Sequence, residues 1–204
     1  MRQKQIAVFL SGRGSNFRAI FEAVDEGRVK GHVDVVISDV FDAQGLSFAR
    51  AHGIPCAVFQ KSRNESRAEY FEKIIEELDR RKIDLIVLAG FMKVLSGNII
   101  RRYRNRIINI HPALLPAFPG VHAQKQALEY GVKYSGCTVH FVDEGVDTGP
   151  IVIQEAVPVL EDDTEDTLSD RILEQEHRIF PRAVQLFCED RLEVKGRRVF
   201  IQNP

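Results

Sequence analysis

The residues with the clearest chemical potential end a predicted strand, in the stretch RIINIHPALLP at positions 106–116. Residues two apart on a strand point the same way, so Asn109 and His111 share one face. An amide can donate a hydrogen bond to a developing oxyanion, and an imidazole can carry a proton near neutral pH. The pair predicts proton-assisted chemistry at a carbonyl carbon. The alternative is that His111 is only structural or solvated, as most strand-end histidines are.

A second loop, DEGVDTGP at positions 143–150, combines acidic residues, glycines and a proline. Such residues also occur in ordinary turns. If this loop lies beside the first stretch, Asp147 can orient His111 or share a proton with it. The sequence contains no G-x-S-x-G motif of a serine hydrolase and no H-E-x-x-H or C-x-x-C motif of a zinc site. We therefore expect acyl transfer with neither a covalent intermediate nor a metal ion.

A glycine-containing turn, SGRGSN at positions 11–16, follows an apolar run and precedes a helical pattern. Glycines allow close backbone approach, and a helix N-terminus offers N–H groups to an anion. The dinucleotide fingerprint would require glycine where Phe17 stands, and the Gly-Lys-Ser/Thr of a P-loop is absent. Two interpretations remain open: a phosphate monoester site formed by Gly14, Ser15 and Asn16, or a structural turn with a Ser/Asn helix cap.

Glu176 interrupts the apolar stripe of a long predicted helix at about 164–188. Its neighbours at successive four-residue steps are Leu168, Ile172 and Phe180. Burying a carboxylate without a partner is costly. Glu176 is therefore expected either to pair with another side chain or to hold the hydroxyls or amine of a ligand. Pro181 is expected to kink this helix.

Apolar runs alternate with helical patterns through the first two thirds of the chain. The predicted strands span 6–10, 33–38, 56–59, 85–89 and 107–110. The predicted helices span 15–27, 43–52, 64–81, 96–104 and 121–130. Strands that are apolar at nearly every position are typical of a parallel sheet covered by helices on both faces.

The pattern changes after residue 135, where two extended runs, the long helix and a terminal hairpin at about 191–202 follow one another. We therefore predict a single-domain α/β fold, with a mostly parallel Rossmann-like twisted sheet and late antiparallel strands. In such sheets ligands bind beyond the carboxyl ends of the parallel strands, where Asn109 and His111 would lie.

The composition narrows the classes of function. With 28 basic and 29 acidic residues among 204, the chain shows no basic stripe for nucleic acid. No apolar run approaches the roughly 18 residues of a membrane span, and the N-terminal run of five is too short for a signal peptide. Cys56, Cys137 and Cys188 are expected to be reduced thiols, which favours a cytoplasmic protein.

Five segments together resemble the phosphoribosylglycinamide formyltransferases, a family of folate-dependent enzymes of purine synthesis. They are SGRGSN at 11–16, LAGFMKVLS at 88–96, NIHPALLP at 109–116, SGCTVHFVDEGVDTGPIV at 135–152 and QEHRIFP at 175–181. The third and fourth indicate the folate formyltransferase superfamily, and the first and last favour this family within it. The resemblance implies formyl transfer from 10-formyltetrahydrofolate, as co-substrate, to the amine of 5-phosphoribosyl-glycinamide.

The resemblance also implies roles for the candidate catalytic residues. Asn109 would stabilise the oxyanion of a tetrahedral intermediate. His111 would act as general acid toward the departing folate nitrogen. Asp147 would hold the protonated imidazole or a relay water.

Further roles concern substrate binding. Gly14, Ser15 and Asn16 would cradle the substrate phosphate, and Glu176 would bind the ribose or amide portion. The implied folate-binding residues are Arg67, Met92, Lys93, Val94, Leu95 and Asn109. Arg67 has an alternative as an exposed helix arginine. Lys93 stands where many members of the family carry arginine. A contact to the folate made by the backbone of this residue does not depend on that difference.

The resemblance covers the chain as one formyltransferase domain, 1–204. Its phosphate-binding half would span about 1–100, its catalytic and folate-binding half about 101–190, and its hairpin about 191–202. The expected partners are small molecules, with a homodimer possible. The conformation of the Leu115–Pro116 bond is left open.

Four alternative functions are considered: two related folate enzymes, a binding protein without catalysis and a hydrolase. Methionyl-tRNA formyltransferase and formyltetrahydrofolate deformylase share the core, but the length of the chain leads us to expect neither the C-terminal domain of the first nor the N-terminal domain of the second. A non-catalytic phosphometabolite or folate sensor would not need Asn109, His111 and Asp147 together. A metal-free hydrolase is the fourth.

Overall fold

The computed structural model describes residues 2–203, which form two compact units. The first unit ends at Ile108 and the second begins at Asn109. The elements of the first unit are β1 Lys4–Leu10, α1 Ser15–Asp25, β2 Gly31–Ser38, α2 Gln44–Ala51, β3 Cys56–Val58, α3 Arg67–Arg80, β4 Leu85–Leu88 and α4 Gly97–Arg102. β5 Ile107–His111 crosses the boundary. The second unit continues with α5 Ala123–Tyr130, β6 Tyr134–Phe141, β7 Ile151–Pro158, α6 Glu165–Cys188, β8 Leu192–Lys195 and β9 Arg198–Ile201.

The first unit is built on a parallel sheet with the strand order β3-β2-β1-β4-β5. β1 pairs in parallel with β2 and β4, and β2 with β3. Five consecutive residues of β1, Ile6 to Leu10, are fully buried. Such continuous burial is typical of a central strand in a parallel sheet that helices cover on both faces. The expected parallel sheet is therefore confirmed.

The second unit has the strand order β5-β6-β7-β9-β8. β6 runs antiparallel to β7 from the Tyr134–Pro158 pair onward, and β8 and β9 form an antiparallel hairpin. This confirms the late antiparallel strands. The hairpin joins the sheet in an unexpected way, since β9 meets β7 in parallel through the pair Ile151–Arg198.

Helix ends differ from the predicted bounds for identifiable reasons. α3 begins at Arg67 rather than 64 because Ser66 accepts a hydrogen bond from the backbone of Glu69 and Glu69 returns one to Ser66, a capping box. α1 ends at Asp25, shortly before Gly27, whose φ of 74° is left-handed. α6 spans Glu165–Cys188 with Pro181 inside it, which confirms the helix predicted at about 164–188, and the kink expected at Pro181 stays a prediction.

The Leu115–Pro116 bond, which the sequence left open, is cis. The segment around it is held by two polar side chains of the second unit. Thr138 Oγ1 accepts from Leu115 N at 3.1 Å and donates to Ala113 O at 2.6 Å. Gln154 Nε2 donates to Leu115 O at 2.9 Å. These contacts fix the chain just after β5.

The three cysteines are thiols, with Cys137 and Cys188 buried and Cys56 only half-buried. Burial raises the pKa of the Cys137 thiol to about 12. Among residues 2–203, no helix is both long and apolar enough to cross a membrane.

Candidate active site

The turn at 11–16 is closed by backbone contacts in the first unit. Gly14 has a φ of 75° and is the N-cap of α1, where no side chain caps the helix. Of the alternative interpretation, a structural turn with a Ser/Asn helix cap, the cap is therefore wrong, because a left-handed glycine takes that position. A Cβ on Gly14 would lie 2.9 Å from Gly45 Cα, and Gly45 N donates to Gly12 O at 3.1 Å. Glycine is thus required both for the turn and for the close approach of α2.

A cavity of about 320 Å³ borders this turn. Its lining consists of Ser11, Gly12, Arg13, Gly14, Ser15, Asn16, Ala89, Gly90 and Met92. It includes the first turn of α1, whose early N–H groups and positive dipole end favour an anion. The volume lies at the lower end of the range for small-molecule pockets. Gly14, Ser15 and Asn16 are therefore brought together at a site of suitable size for a phosphate-bearing ligand.

His111 is 4% exposed at the end of β5, and both of its ring nitrogens face acceptors. Nε2 lies 2.8 Å from Phe118 O, and a carbonyl only accepts, so this nitrogen carries a hydrogen. Nδ1 lies 3.3 Å from Asp147 Oδ2. A proton on Nδ1 would therefore lie between imidazole and carboxylate. The structure brings Asp147 to His111, as the sequence predicted.

Asp147 is held at this distance by its own loop and by a second segment. Its φ is 54°, and its Oδ2 accepts from Gly120 N at 2.8 Å. Phe141 N donates to Pro150 O at 2.9 Å, which closes the loop. A Cβ on Gly149 would lie 1.7 Å from Phe141 O, so only glycine fits there. Segment 118–120 thus contacts both His111 and Asp147 through its backbone.

Asn109 is oriented by a residue that the sequence reasoning missed, His140. Asn109 Nδ2 lies 3.2 Å from His140 Nε2, and His140 Nδ1 lies 2.9 Å from Phe141 O. Since the carbonyl of Phe141 can only accept, His140 Nδ1 carries the hydrogen and Nε2 accepts from Asn109. One N–H of the Asn109 amide is engaged in this way, which leaves the second available for an oxyanion. The signal for His140 was weak, because it stands in the apolar run TVHFV.

The charge state of His140 supports this arrangement. The side chain is 3% exposed, and burial lowers the pKa of the imidazole, with the backbone bond to Phe141 and the nearby carboxylate of Asp147 opposing that shift. The imidazole is therefore held neutral. A second proton on Nε2 would turn an acceptor into a donor that faces the donating Nδ2 of Asn109.

The other predicted residues lie in different settings. Glu176 is 7% exposed on α6, as its place on the apolar stripe predicted. Arg67 is exposed at the first position of α3. In the segment 92–95, Met92 and Val94 are exposed and Leu95 is buried. Lys93 pairs its ammonium with the carboxylate of Asp39 at 3.1 Å.

Within the described range 2–203, no group of three or more His, Cys, Asp or Glu side chains is arranged to hold a metal ion.

Comparison with known proteins identifies the family. Residues 4–184 match the family model described as formyl transferase. A trifunctional purine biosynthetic protein adenosine-3 from Drosophila melanogaster is 50% identical over 187 residues, which are 91% of this chain but 14% of that protein. The chain thus spans about a seventh of this relative's length.

Two further relatives are similar to the chain over almost their whole length. Phosphoribosylglycinamide formyltransferase from Escherichia coli (strain K12) is 42% identical, covering 97% of this chain and 93% of that protein. The crystal structure of glycinamide ribonucleotide transformylase 1 from Symbiobacterium toebii superposes with a TM-score of 0.96 at 50% identity, covering 98% of this chain and 95% of the other. The α/β fold is thus shared with this solved structure. The chain belongs to the formyl transferase family.

Proposed function

We propose that this chain transfers the formyl group of 10-formyltetrahydrofolate to the primary amine of 5-phosphoribosyl-glycinamide, in purine biosynthesis. The observation that carries the proposal is the assembly of Asn109, His111 and Asp147 at the end of β5, in a member of the formyl transferase family. The name of the Escherichia coli relative supports this choice of acceptor.

The proposed reaction proceeds by direct attack. The amine nitrogen forms a bond to the formyl carbon, and the carbonyl oxygen becomes the oxyanion of a tetrahedral intermediate. The bond from that carbon to the folate nitrogen then breaks. The attacking nitrogen loses one proton and the departing nitrogen gains one, so that N-formylglycinamide ribotide and tetrahydrofolate leave.

The side chains of the second unit match these demands. Asn109 donates its remaining N–H to the oxyanion, a type of contact whose loss typically costs about 2.7–4 kcal/mol. The proton that His111 and Asp147 share is the one delivered to the departing nitrogen. Because Phe118 O occupies Nε2 of His111, this proton lies on the Nδ1 side, toward Asp147.

The binding roles remain proposals as well. The turn at Gly14, Ser15 and Asn16 binds the phosphate. Glu176 contacts the ribose or amide portion of the same substrate. The segment 92–95 forms a folate-binding wall through its backbone and apolar side chains, and Arg67 adds a charge contact to the folate.

We further propose that residues 1–204 act as one formyltransferase domain with small-molecule partners, supported by the match of residues 4–184 to a single family model. A cytoplasmic location is proposed from the three thiols, since disulfides are rare in the reducing cytosol.

The test is a formyl-transfer assay on the purified chain with both substrates, followed by absorbance as the folate loses its formyl group. We expect turnover only in the complete mixture. Equal turnover without phosphoribosylglycinamide would identify a deformylase instead. Bound folate without turnover in either mixture would identify a sensor. The His111→Asn variant is the control, because it removes the proton carrier and keeps a polar side chain.

A further inference from the structure

Three strand ends of the first unit are joined by a short chain of hydrogen bonds, and two of its members, Ser11 and Asp39, have no role assigned so far. Ser11 follows β1, Asp39 follows β2 and Gly90 follows β4. Ser11 N donates to Gly90 O at 3.0 Å, and Met92 N donates to Ser11 Oγ at 2.9 Å. Ser11 Oγ in turn donates to Asp39 Oδ1 at 2.6 Å. The first residue of the phosphate turn is thus bonded directly to the first residue of the segment 92–95.

The chemistry of Asp39 sets the direction of this chain. An ionised carboxylate only accepts, so the single hydrogen of the Ser11 hydroxyl goes to Asp39. Ser11 Oγ is then left with lone pairs alone for Met92 N. The Asp39 carboxylate is 7% exposed and its second oxygen pairs with Lys93 Nζ at 3.1 Å. A nearly buried charge with two partners polarises the bonds that lead to it.

Within the segment 92–95 two side chains are largely exposed, whereas Phe91 just before it and Leu95 at its end are buried. Met92 is 72% exposed and Val94 is 57% exposed. Between the buried Phe91 and Leu95, the bond from Met92 N to Ser11 holds this backbone beside the turn, and the ion pair with Asp39 holds the Lys93 side chain. The cavity beside the turn is lined by Met92 as well as by Ser11–Asn16, so a ligand in it meets both Ser11 and Met92, the two residues that the Ser11 hydroxyl joins.

We propose that Asp39 is a positioning residue that acts through Ser11 and couples the phosphate turn to the segment 92–95, so that occupancy of the turn strengthens folate binding. The inference rests on the proposed function for the identity of the two ligands. Coupling of this kind is reciprocal and typically amounts to a factor of about five or more in affinity.

The first test needs no substrate. Amide hydrogen exchange at Met92, followed by NMR, measures how firmly its N–H is held. We expect Ser11→Ala to accelerate this exchange by about ten-fold, the scale of one net hydrogen bond. Asp39→Leu should act similarly, and Asp39→Asn less, because an amide oxygen still accepts from Ser11. Unchanged exchange in Ser11→Ala would overturn the proposal.

A matched control lies in the same unit. Asp79 also accepts from a hydroxyl, that of Tyr103 at 2.8 Å, and pairs with a cation, Arg102 at 3.0 Å. Asp79→Asn therefore removes a charge with the same kinds of partner, in a more exposed place outside the turn and the segment 92–95. It should leave Met92 exchange unchanged. If Asp79→Asn accelerated Met92 exchange as much as Asp39→Leu does, the whole unit would be loosened in both variants. That result would also overturn the proposal.

The second test measures coupling itself. The KM for 10-formyltetrahydrofolate is determined at low and at saturating phosphoribosylglycinamide. We expect the ratio of the two values to be about five in the unaltered chain and close to one in Ser11→Ala and Asp39→Leu. A ratio of one in the unaltered chain, or an unchanged ratio in both variants, would contradict the coupling.

The two tests separate this inference from the proposed function. If the unaltered chain shows no formyl transfer, the proposed function fails while Met92 exchange still reports whether Ser11 and Asp39 hold the segment. Variants are first compared by thermal unfolding. Should Asp39→Leu fail to fold, Ser11→Ala and Asp39→Asn provide both measurements.

Discussion

The phosphate turn of the first unit and the Asn109–His111–Asp147 cluster of the second are built in opposite ways. The turn presents backbone groups, and its shape depends on the absence of a side chain at Gly14 and Gly45. The cluster presents side chains, and each is held by another group. A site made of backbone should fail when atoms are added, whereas a site made of side chains should fail when single polar atoms are exchanged.

Exchange of one oxygen in the cluster should have the largest effect. Asp147→Asn keeps the shape of the side chain but removes the charge facing His111 Nδ1. We expect kcat to fall by ~10²–10⁴-fold, the usual range for loss of acid–base assistance, with thermal stability little changed. Steady-state kinetics with both substrates checks this. Turnover within a factor of three of normal would remove Asp147 from the mechanism.

Addition of one carbon to the turn should have the next largest effect. Gly14→Ala puts a Cβ on a left-handed residue, at a cost of about 1–2 kcal/mol, and presses it against Gly45. The free energy of unfolding in urea should fall by at least that amount, and the KM for phosphoribosylglycinamide should rise more than kcat falls.

Gly27→Ala is the matched control for the turn, because Gly27 has a φ of 74° but open space around its Cβ position. It should lose stability by backbone strain alone and keep its KM. A smaller loss of stability in Gly14→Ala than in Gly27→Ala would show that α2 yields easily, and the contrast between the two regions would be lost.

A smaller effect should appear in the pH dependence of stability. The lowered pKa of His140 means that below its ordinary value of 6.5 the unfolded chain binds a proton that the folded chain resists. Stability should therefore fall as pH decreases below about 6.5, by at most ~1.4 kcal/mol per pH unit.

His140→Gln removes this group, so its curve of unfolding free energy against pH should be flatter than that of the unaltered chain. Urea unfolding from pH 5 to 8 measures the difference. His32→Gln, which changes an exposed imidazole on β2, is the control. Parallel curves for the unaltered chain and His140→Gln would show that burial of His140 does not govern its protonation.

The smallest effect is expected at Arg67. The residue is exposed, and an exposed charge contact is worth about 0.2–1 kcal/mol. Arg67→Ala should raise the KM for the folate by at most about five-fold and leave the other KM unchanged. Arg63→Ala changes an exposed arginine of the same segment and should alter neither value. Equal folate KM values for the two variants would leave Arg67 as a surface residue.

The sequence predicted the elements well where local patterns govern them. The buried strands and the long helix were found because apolar period and capping residues are local signals. The start of α3 was placed early, at 64, although Ser66 and Glu69 have the Ser-x-x-Glu spacing of a capping box, a local signal that the prediction did not use. The parallel pairing of β9 with β7 could not be read, because it depends on packing of distant segments.

One part of the candidate site could be predicted from a local pattern, and another part could not. The spacing of Asn109 and His111, two residues apart on one strand, indicates that their side chains share a face. His140 lies 31 residues from Asn109, inside an apolar run, and its role depends on which nitrogen Phe141 engages. Phe118 and Gly120 act through backbone atoms that every residue has, so no residue type marks them.

The burial of Cys137 makes its rate of chemical modification a measure of local opening in the second unit. Thiols react with alkylating reagents as thiolates, and burial keeps Cys137 protonated at neutral pH, with its pKa raised to about 12. Reaction there must wait until β6 opens, the strand that also carries Thr138 and His140. The modification rate of the half-buried Cys56 reports separately on the first unit. The rates at which Cys56 and Cys137 are modified therefore compare local opening in the two units, with the buried Cys188 as a second thiol of the second unit.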